Sequence, residues 1–388
     1  MTLAVVGGKL QGIEALYLGH KAGYETVLVD KDPANPARKM CDTYIAMDVC
    51  KNREWIRAIA GVDLVLPTLE NETALHYIRK TAENSGIPVA FDFESYKVTS
   101  SKLASNRLFH SLDLPCPQSW PQAGFPVIIK PDNSSGSRGV RVINKREKLL
   151  EIITSKKNES DWVIQEFVEG KSYSLEVIMT PKVCHTYQVT DLHFDTKFDC
   201  KRVTAPTELE ENLVLELEQM AVSIANALNL RGIMDVEVIR DQNTLKLLEI
   251  DARLPSQTPA TVFWSSGINM VEQLVVLYTA SGQGHLSKNI RREESKSVVL
   301  EHIGVCGNRM EVSGEHIMGE GGPLSVHTGF FGASEAITDY PGKNGQWVAT
   351  IINAGDQVSS AKARRKAVID RIMEFHGIDV FTDRDSEV

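Results

Sequence analysis

Short apolar runs alternate with helical stretches over the first 95 residues, and this alternation constrains the fold more than any other feature. The runs "LAVVG", "TVLVD", "YIAMDV", "DLVLPT" and "IPVAFD" are predicted strands, with helices near 11–23, 52–60 and 71–85. Strands that alternate with helices form a parallel sheet, and ligands bind beyond the carboxyl ends of its strands. The sequence therefore predicts an α/β, Rossmann-like, substrate-binding domain over residues 1–98.

The loop after the first strand is "GGKLQG", at positions 7–12. It is similar to a dinucleotide-binding loop, but Lys9 stands where the G-x-G-x-x-G pattern has its middle glycine. That glycine lets the backbone approach a pyrophosphate. A Rossmann dehydrogenase is therefore an alternative that this loop disfavours.

Length and charge restrict the class of partner. A chain of 388 residues is long enough for two or three domains, and its net charge of −9, without a long Lys/Arg run, argues against nucleic-acid binding. No apolar run reaches the ~18 residues of a membrane span, and no secretory signal follows Met1. The six cysteines lack zinc-ligand spacing. We therefore expect a cytoplasmic protein that binds small molecules.

Beyond residue 98 the apolar period shifts toward two, which predicts antiparallel strands. The prolines of "LPCPQSWPQAGFP" end helices and mark a connection. An α+β region is therefore expected, with a smaller part over 99–180 and a larger part over 181–388. Helices are predicted at 100–112, about 208–228 and 361–376, and the polar end "TDRDSEV" is expected to be frayed.

The segment "PVIIKPDNSSGSRGVRVI" is the first of three with chemical character. A strand delivers Lys130, and a loop of small residues follows at 134–139. Closely spaced backbone N–H groups and hydroxyls in such a loop suit a phosphate, and its glycines let the backbone approach the anion. A flexible surface hairpin is the alternative for this loop taken alone.

The second segment is "VIQEFVEGKSYSLEVI". An extended run ends at Glu166, the chain turns at Glu169 and Gly170, and a strand resumes at Tyr173. Beside such a strand edge, an oxygen can accept from the amino group of adenine, and a backbone N–H can donate to its ring. A plain hairpin is again the alternative.

The third segment, "GIMDVEVIRDQNTLKLLEIDARLPSQTP", places two acids on each of two strands. Asp235 and Glu237 are two apart, as are Glu249 and Asp251, so each pair shares a face. Four acids in an apolar hairpin repel one another unless a cation lies among them, and magnesium is the metal that favours carboxylate and phosphate oxygens. A solvated sheet edge is the alternative.

The three segments in this order resemble the ATP-grasp superfamily of carboxylate–amine ligases, and with the N-terminal domain the resemblance covers nearly the whole chain. It implies an ATP-grasp fold after the Rossmann-like domain. It also implies that ATP phosphorylates a carboxylate and that an amine displaces phosphate from the acyl phosphate. ATP, two Mg²⁺ ions and possible homodimers come with the resemblance.

The resemblance also implies roles for individual residues. Arg253, Arg138 and Lys130 are the expected catalytic residues, and Asp235, Glu237, Glu249 and Asp251 the expected metal ligands. Ser172 and Asp251 depart from residues common in the family, which affects the ribose contact and the charge of the metal site. The expected ATP-binding residues are Lys102, Lys130, Ser134, Ser135, Gly136, Ser137, Arg138, Glu166, Phe167, Val168, Glu169, Leu248 and Glu249.

Stretches such as "LPTLENE", "DTKFDCKRVTAP" and "EIDARLPSQTP" are similar to a branch that joins the carboxylate of (3R)-3-methyl-D-ornithine to the ε-amino group of L-lysine in pyrrolysine biosynthesis. Purine-pathway ligases, dipeptide ligases and a non-catalytic nucleotide sensor are the alternatives. With ATP bound elsewhere, Gly7 and Gly8 are expected to bring backbone close to an amino-acid substrate. The other expected substrate contacts are Lys9, Leu10, Gln11, Glu70, Ser174, Glu176, Arg202, Arg253 and Ser256.

Overall fold

The computed structural model of the chain describes residues 1–52, 54–155, 162–279, 286–287, 295–343 and 345–385. These residues form a four-stranded sheet near the N-terminus, a three-stranded sheet after it and a large sheet from the remaining strands. The mixture of α/β and α+β architecture that the sequence predicts is confirmed.

The first sheet is parallel, with strand order β3-β2-β1-β4. Short 3₁₀ helices at Pro36–Lys39 and, far along the chain, at Phe330–Gly332 lie outside the regular elements. The elements of this region are β1 (Thr2–Val6), α1 (Leu10–Lys21), β2 (Glu25–Asp30), β3 (Thr43–Ala46), α2 (Trp55–Ala58), β4 (Leu64–Pro67) and α3 (Glu72–Ser85).

The predicted fifth strand, "IPVAFD", is wrong. It makes only a single parallel bridge, between Val89 and Val65. Pro88 has no N–H to donate to a ladder. Two residues beyond Ala90, Asp92 already caps a helix by accepting hydrogen bonds from the backbone N–H groups of its first turn.

The second sheet is antiparallel, with order β6-β5-β7. One face packs against a helix, and Val127 and Ile129 of the sheet form an apolar cluster with Leu149 of that helix. The elements of this region are α4 (Phe93–Thr99), α5 (Lys102–Ser111), β5 (Val127–Pro131), β6 (Arg141–Ile143), α6 (Arg146–Ser155) and β7 (Trp162–Glu166).

The large sheet runs in the order β13-β12-β8-β10-β11-β14-β18-β17-β16, with further strands paired at its sides. Its elements are β8 (Ser172–Met179), β9 (Cys184–Thr186), β10 (Thr190–Phe194), β11 (Cys200–Ala205), α7 (Glu211–Leu228), β12 (Gly232–Asp241), β13 (Thr244–Asp251), α8 (Thr258–Ser266), α9 (Met270–Tyr278), β14 (Ser297–Cys306), β15 (Arg309–Val312), α10 (His316–Glu320), β16 (Ser325–Thr328), β17 (Glu335–Thr338), β18 (Trp347–Gly355), α11 (Val358–His376) and β19 (Val380–Thr382).

The chain passes from the small sheet to the large one at the turn after Glu166. Strand β8 pairs with β12 and β10, so it belongs to the large sheet although the predicted boundary at 180 groups it with the small one. Its long pairing with β12, from Ser172 opposite Ile239 to Met179 opposite Gly232, fixes this membership.

Helix α1 joins the N-terminal sheet to the large sheet. The hydroxyl group of Tyr17 donates to Glu335 and accepts from the indole N–H of Trp264, at 2.5 and 2.7 Å. Lys21 forms an ion pair with the same Glu335 at 2.8 Å. Because Glu335 lies on β17, these contacts hold α1 against the large sheet.

The polar C-terminal segment is held, and the expected fraying is wrong for residues 382–385. Strand β19 pairs with β15. The Asp383 carboxylate pairs with Lys201, Arg202 and Arg365, and these cations lower its pKa to about 2 although burial alone would raise it. Residues 386–388 lie outside the described part.

Asp92 connects α4 to the large sheet, and this role can be tested by substitution. It accepts from the backbone N–H of Ser95 and, at 2.7 Å, from that of Arg231, which precedes β12. We expect Asp92→Ala to lower the free energy of unfolding by about 1–2 kcal/mol, measured by urea denaturation, because a helix cap is lost. The exposed Asp356→Ala is the control, and equal effects of the two changes would contradict this role.

Candidate active site

The four acids predicted to bind metal lie side by side on the β12–β13 hairpin. Asp235 is opposite Asp251, and Glu237 is opposite Glu249. Opposite residues of an antiparallel pair have neighbouring side chains, and residues two apart share a face. The structure therefore brings all four carboxylates together in one acidic patch.

A β-bulge decides which way this patch faces. The pairing shifts after Glu237 and leaves Leu248 without a residue opposite it. The buried row of β13 contains Leu247 before the bulge and Ile250 after it. Strict alternation from Leu247 would have turned Glu249 into the core, so the extra residue is what directs Glu249 to the open face.

Burial makes the ionised forms of these acids costly. It raises the pKa of Asp235 to about 6, that of Asp251 to about 7 and that of Glu237 well above its usual value. The neighbouring charge of Glu249 contributes to each of these shifts in the same direction. A divalent cation would offset this repulsion, and a set of carboxylate oxygens is the donor set that Mg²⁺ prefers.

Two lysines approach the acidic patch. Lys102, the first residue of α5, donates from Nζ to Glu249 Oε1 at 2.7 Å and to the backbone oxygen of Ser134 at 2.5 Å. Lys130 lies on β5, where burial lowers its pKa although the charges of Glu249 and Glu237 oppose the shift. Both cations thus face the same carboxylates, as phosphate-binding lysines beside a metal site would.

The predicted phosphate loop has the backbone that an anion cradle requires. Positive φ angles turn successive N–H groups toward a common side. The Ser137 hydroxyl donates to the backbone oxygen of Phe198, so the loop lies against the large sheet, while Arg138 is exposed. Residues of this loop with positive φ are Gly136 at 61°, Ser137 at 55° and Gly139 at 78°.

In the predicted adenine hinge, two of the expected contacts already have partners. The Glu166 carboxylate pairs with Lys246 on β13. The N–H of Phe167 donates to the backbone oxygen of Pro126 at 3.1 Å. A backbone donor to a base must therefore come from the next residues, beginning with Val168.

The turn after the hinge depends on a glycine. A Cβ atom on Gly170 would lie 1.9 Å from the backbone oxygen of Arg240, so the turn and β12 approach as closely as two backbones can. The neighbouring Glu169, expected near the ribose, is exposed, and Ser172 is buried in β8.

Arg253 connects the metal hairpin to the N-terminal sheet. It pairs with Asp251 at 2.9 Å and with Glu70 at 3.0 Å. Glu70 also accepts from Gln11 Nε2 at 2.7 Å and lies beside Ser135 of the phosphate loop. Burial favours protonation of Glu70, but the charge of Arg253 together with hydrogen bonds from Ser135 and Gln11 outweighs burial, so the pKa of Glu70 is lowered. Glu70 thus joins Arg253 to Gln11 of α1 and to Ser135 of the loop at 134–139.

The glycines of the loop after β1 are enclosed by the protein itself, and their approach to a substrate stays a prediction. A Cβ atom on Gly7 would lie 2.8 Å from the backbone oxygen of Thr68, and one on Gly8 would lie 2.3 Å from Asn35. The N–H of Gly8 donates to Asp30 at 2.7 Å. The glycines therefore serve close packing within the protein.

Of the remaining residues predicted to contact substrate, some are buried within the protein and others are exposed. Ser174 and Glu176 are fully buried on β8, where Ser174 donates to Asp235. Ser256 donates to Glu315 at 2.7 Å. Lys9 is exposed at the start of α1.

Arg202, also expected to contact substrate, is engaged elsewhere. It pairs with Glu301 at 3.0 Å and with Asp383. These carboxylates neutralise it within the large sheet, and the C-terminal segment covers it.

Several residues near the site were not anticipated from the sequence. Asp132 accepts from the N–H of Leu103 at 2.8 Å and so holds the first turn of α5, which carries Lys102. Glu14, Gln257, His302 and Glu315 line a cavity behind Arg253. The sequence does contain an indication that Glu14 is unusual, because it is a single acid within the apolar stretch "GIEALYL".

A larger cavity of about 390 Å³ lies on the other side of the small sheet, between α5 and α6. Its walls are largely apolar, with Leu103, Ile129 and Trp162 among them. None of the predicted site residues lines this cavity, so the larger of the two cavities is not the one at the predicted site.

Comparison with known proteins identifies the family. The family profile of the ATP-grasp domain matches residues 99–257. The 3-methyl-D-ornithine–L-lysine ligase of Methanosarcina acetivorans is 36% identical over 323 residues, which cover 82% of this chain and 84% of that one. The chain belongs to the ATP-grasp family. The corresponding ligase of Methanosarcina barkeri is 38% identical over 78% of this chain and 79% of its own.

Among solved structures, the ligase resembles the biotin carboxylase domain of Hydrogenobacter thermophilus 2-oxoglutarate carboxylase. The TM-score is 0.73 with 16% identity, over 95% of this chain and 89% of the other. That domain was crystallised with MgADP and bicarbonate. The likeness establishes the fold, and ATP with Mg²⁺ is what ATP-grasp ligases use.

No helix within the described residues is long and apolar enough to cross a membrane.

The buried acids predict how magnesium affects stability. In the unfolded chain they ionise near pH 4, whereas in the fold Asp235 and Asp251 ionise near pH 6 and 7. Without metal, the free energy of unfolding therefore decreases between about pH 4 and 7 as the folded state retains protons that the unfolded state releases. Mg²⁺ binds the ionised forms, so it should raise the melting temperature more at pH 8 than at pH 5.5.

Thermal melts with and without Mg²⁺ check this expectation. Glu237→Gln should remove most of the stabilisation by Mg²⁺ at pH 8, whereas the exposed Glu320→Gln should retain it. A magnesium effect that is independent of pH would show that the hairpin is not the metal site.

Proposed function

We propose that the enzyme phosphorylates the carboxylate of (3R)-3-methyl-D-ornithine with ATP and couples it to the ε-amino group of L-lysine, a step of pyrrolysine biosynthesis. The observation that carries this proposal is the 36% identity to a ligase of that name over 82% of the chain. The acidic hairpin, the two lysines and Arg253 supply the chemistry that such a reaction needs.

Phosphoryl transfer asks a protein for positioning and neutralisation of charge. Lys102, Lys130 and the loop with Arg138 would hold the phosphates of ATP. Glu237 and Glu249, together with Asp235 and Asp251, would hold the Mg²⁺ that accompanies the nucleotide. When bound, Mg²⁺ would neutralise the phosphate oxygens and align the γ-phosphate.

Arg253 is the group best placed to orient the substrate carboxylate. Its contacts with Asp251 and Glu70 fix the guanidinium group between the metal hairpin and the N-terminal sheet. A guanidinium offers paired N–H donors that match a carboxylate and, after phosphorylation, an acyl phosphate. Gln11 and Glu70 would define the nearby substrate wall.

The amine must lose a proton before it attacks. A free lysine ε-amino group has a pKa of about 10.4, so it arrives as an ammonium ion. Glu176 is our candidate for the acceptor, because its Oε2 atom is buried without a hydrogen-bond partner in the described structure and burial raises its pKa. The raised pKa of Glu176 is closer to the pKa of an amine than the lowered pKa of Glu70 is, so Glu176 is the better proton acceptor.

A homodimer and a cytoplasmic location stay expectations, and light scattering of the purified enzyme would test the first.

Product analysis tests the proposed reaction directly. With Mg-ATP, 3-methyl-D-ornithine and L-lysine, we expect equimolar release of ADP and phosphate and a product whose mass is the sum of both amino acids minus water. D-ornithine serves as the simpler analogue. ATP turnover only with bicarbonate and an aminoimidazole nucleotide would favour a purine-pathway ligase, and turnover only with short-chain α-amino acids a dipeptide ligase.

Lys102 provides a test of the nucleotide site. We expect Lys102→Met to lower kcat/KM for ATP on the order of 100-fold, because a cation between the phosphates and Glu249 is lost. Lys97→Met, on the exposed face of α4, is the matched control and should behave as wild type. Steady-state kinetics with a coupled ADP assay measure both, and an unchanged Lys102→Met enzyme would remove this residue from the site.

A further inference from the structure

A small cavity lies between α1, α8 and the large sheet, next to the proposed active site. It has room for about one water-sized group, since its volume is about 20 Å³. Leu10, Ile13 and Met318 contribute apolar walls, and Glu14, Glu315 and His302 contribute polar ones. The cavity therefore combines a hydrocarbon lining with an acidic end.

The polar atoms of this cavity are acceptors that lack a cation. Glu14 accepts from the backbone N–H of Ala260 at 2.6 Å, and Glu315 accepts from Ser256. Within the described residues, neither carboxylate forms an ion pair with Lys or Arg. Glu14 is buried and Glu315 is half-buried, and carboxylates withdrawn from water without a cation are unfavourable, because a desolvated charge needs an opposite charge nearby.

Two further residues of the cavity wall carry buried polar atoms without a hydrogen-bond partner in the described structure. Gln257 is 7% exposed, and its Oε1 atom has no hydrogen-bond partner in the described structure. His302 is 3% exposed, and its Nε2 atom is equally without one, while Nδ1 lies 2.9 Å from the Thr350 hydroxyl. Both residues line the cavity. Buried acceptors without donors indicate a ligand that brings donors.

The imidazole adds acceptor character instead of positive charge. Burial lowers the pKa of His302 to about 3, so the ring is neutral and Nε2 can accept once Nδ1–H donates to Thr350. Burial raises the pKa of Glu14 to about 8 and that of Glu315 to about 7. A bound cation would lower both values by stabilising the ionised carboxylates.

The cavity is built from the same chain segments as the proposed substrate site. Leu10 precedes Gln11, which donates to Glu70, and Ser256 follows Arg253 along the chain. The charge of Arg253 also acts on Glu315, which places the two groups near each other. The cavity and the surroundings of Arg253 therefore share residues of α1 and of the segment that precedes α8.

We propose that this cavity binds the terminal ammonium group of the diamino acid whose carboxylate the enzyme activates, with Glu14, Glu315, Gln257 and His302 as its acceptors. A primary ammonium has three N–H donors and the size of a water molecule, and so matches the acceptors and the volume. This assignment rests on the proposed function, because it takes the activated acid to be an ornithine.

The kinetic test compares D-ornithine with D-norvaline, which has no terminal amine. With Mg-ATP and saturating L-lysine, wild type should prefer D-ornithine in kcat/KM by ~100-fold or more, because norvaline leaves buried acceptors unpaired. Glu14→Gln and Glu315→Gln keep the shape and an acceptor oxygen but lose the charge. Each should reduce the preference at least tenfold through KM for D-ornithine, and the exposed Glu311→Gln should not.

The outcomes separate this assignment from the proposed function. Lysine coupling to D-ornithine and D-norvaline with equal efficiency would overturn the cavity assignment and leave the ligase reaction standing. A change that affects discrimination of L-lysine from L-norleucine, with ornithine unaffected, would also overturn it, because the cavity would serve the amine substrate. Absence of product from every acid and amine would overturn the proposed function itself.

A structural test does not depend on the folding of variants. Crystals of the wild-type enzyme with D-ornithine, Mg²⁺ and a non-hydrolysable ATP analogue should place the terminal nitrogen within hydrogen-bond distance of Glu14 and Glu315. A terminal nitrogen outside the cavity, with the carboxylate at Arg253, would overturn the assignment.

Discussion

The mutual repulsion of four carboxylates on one hairpin is the constraint around which the site is arranged. Asp235, Glu237, Glu249 and Asp251 lie in opposite pairs and are largely withdrawn from water, which raises the pKa values of three of them. Lys102 pairs with one acid, and Arg253 with another. The remaining negative charge is what a magnesium nucleotide would neutralise, so metal, nucleotide and fold stability are coupled through the same residues.

Arg253 connects the acidic hairpin to the N-terminal sheet, because it forms ion pairs with a residue of each. Its second partner, Glu70, follows strand β4 at the edge where ligands of parallel sheets bind, and Gln11 reaches the same carboxylate from α1. The contact of Tyr17 and Lys21 with Glu335 holds α1 against the large sheet. Gln11, Glu70 and the acidic hairpin are therefore linked by the ion pairs of Arg253 at one end, and α1 is held by the hydrogen bond and ion pair to Glu335 at the other.

Much of the fold was readable from the sequence, because strands of period two and amphipathic helices leave local patterns. The acids of the hairpin were readable for the same reason, since residues two apart share a face. The orientation of that face was not, because the bulge at Leu248 depends on how β13 pairs with β12. The neighbours of the glycines in the first loop were not readable either, because a glycine indicates that something approaches the backbone but not that Asn35 is what approaches Gly8.

By itself, the sequence determined the order of the elements, the phosphate loop with its lysines and the acidic hairpin, because each depends on residues close together in the chain. Only the tertiary structure decided which distant residues meet. Glu14 on α1, His302 on β14 and Glu315 before α10 line one cavity. Arg202 is neutralised by Glu301 and Asp383. Such contacts arise when sheets and helices pack together, and the burial that gives a charged group its properties exists only after that packing is complete.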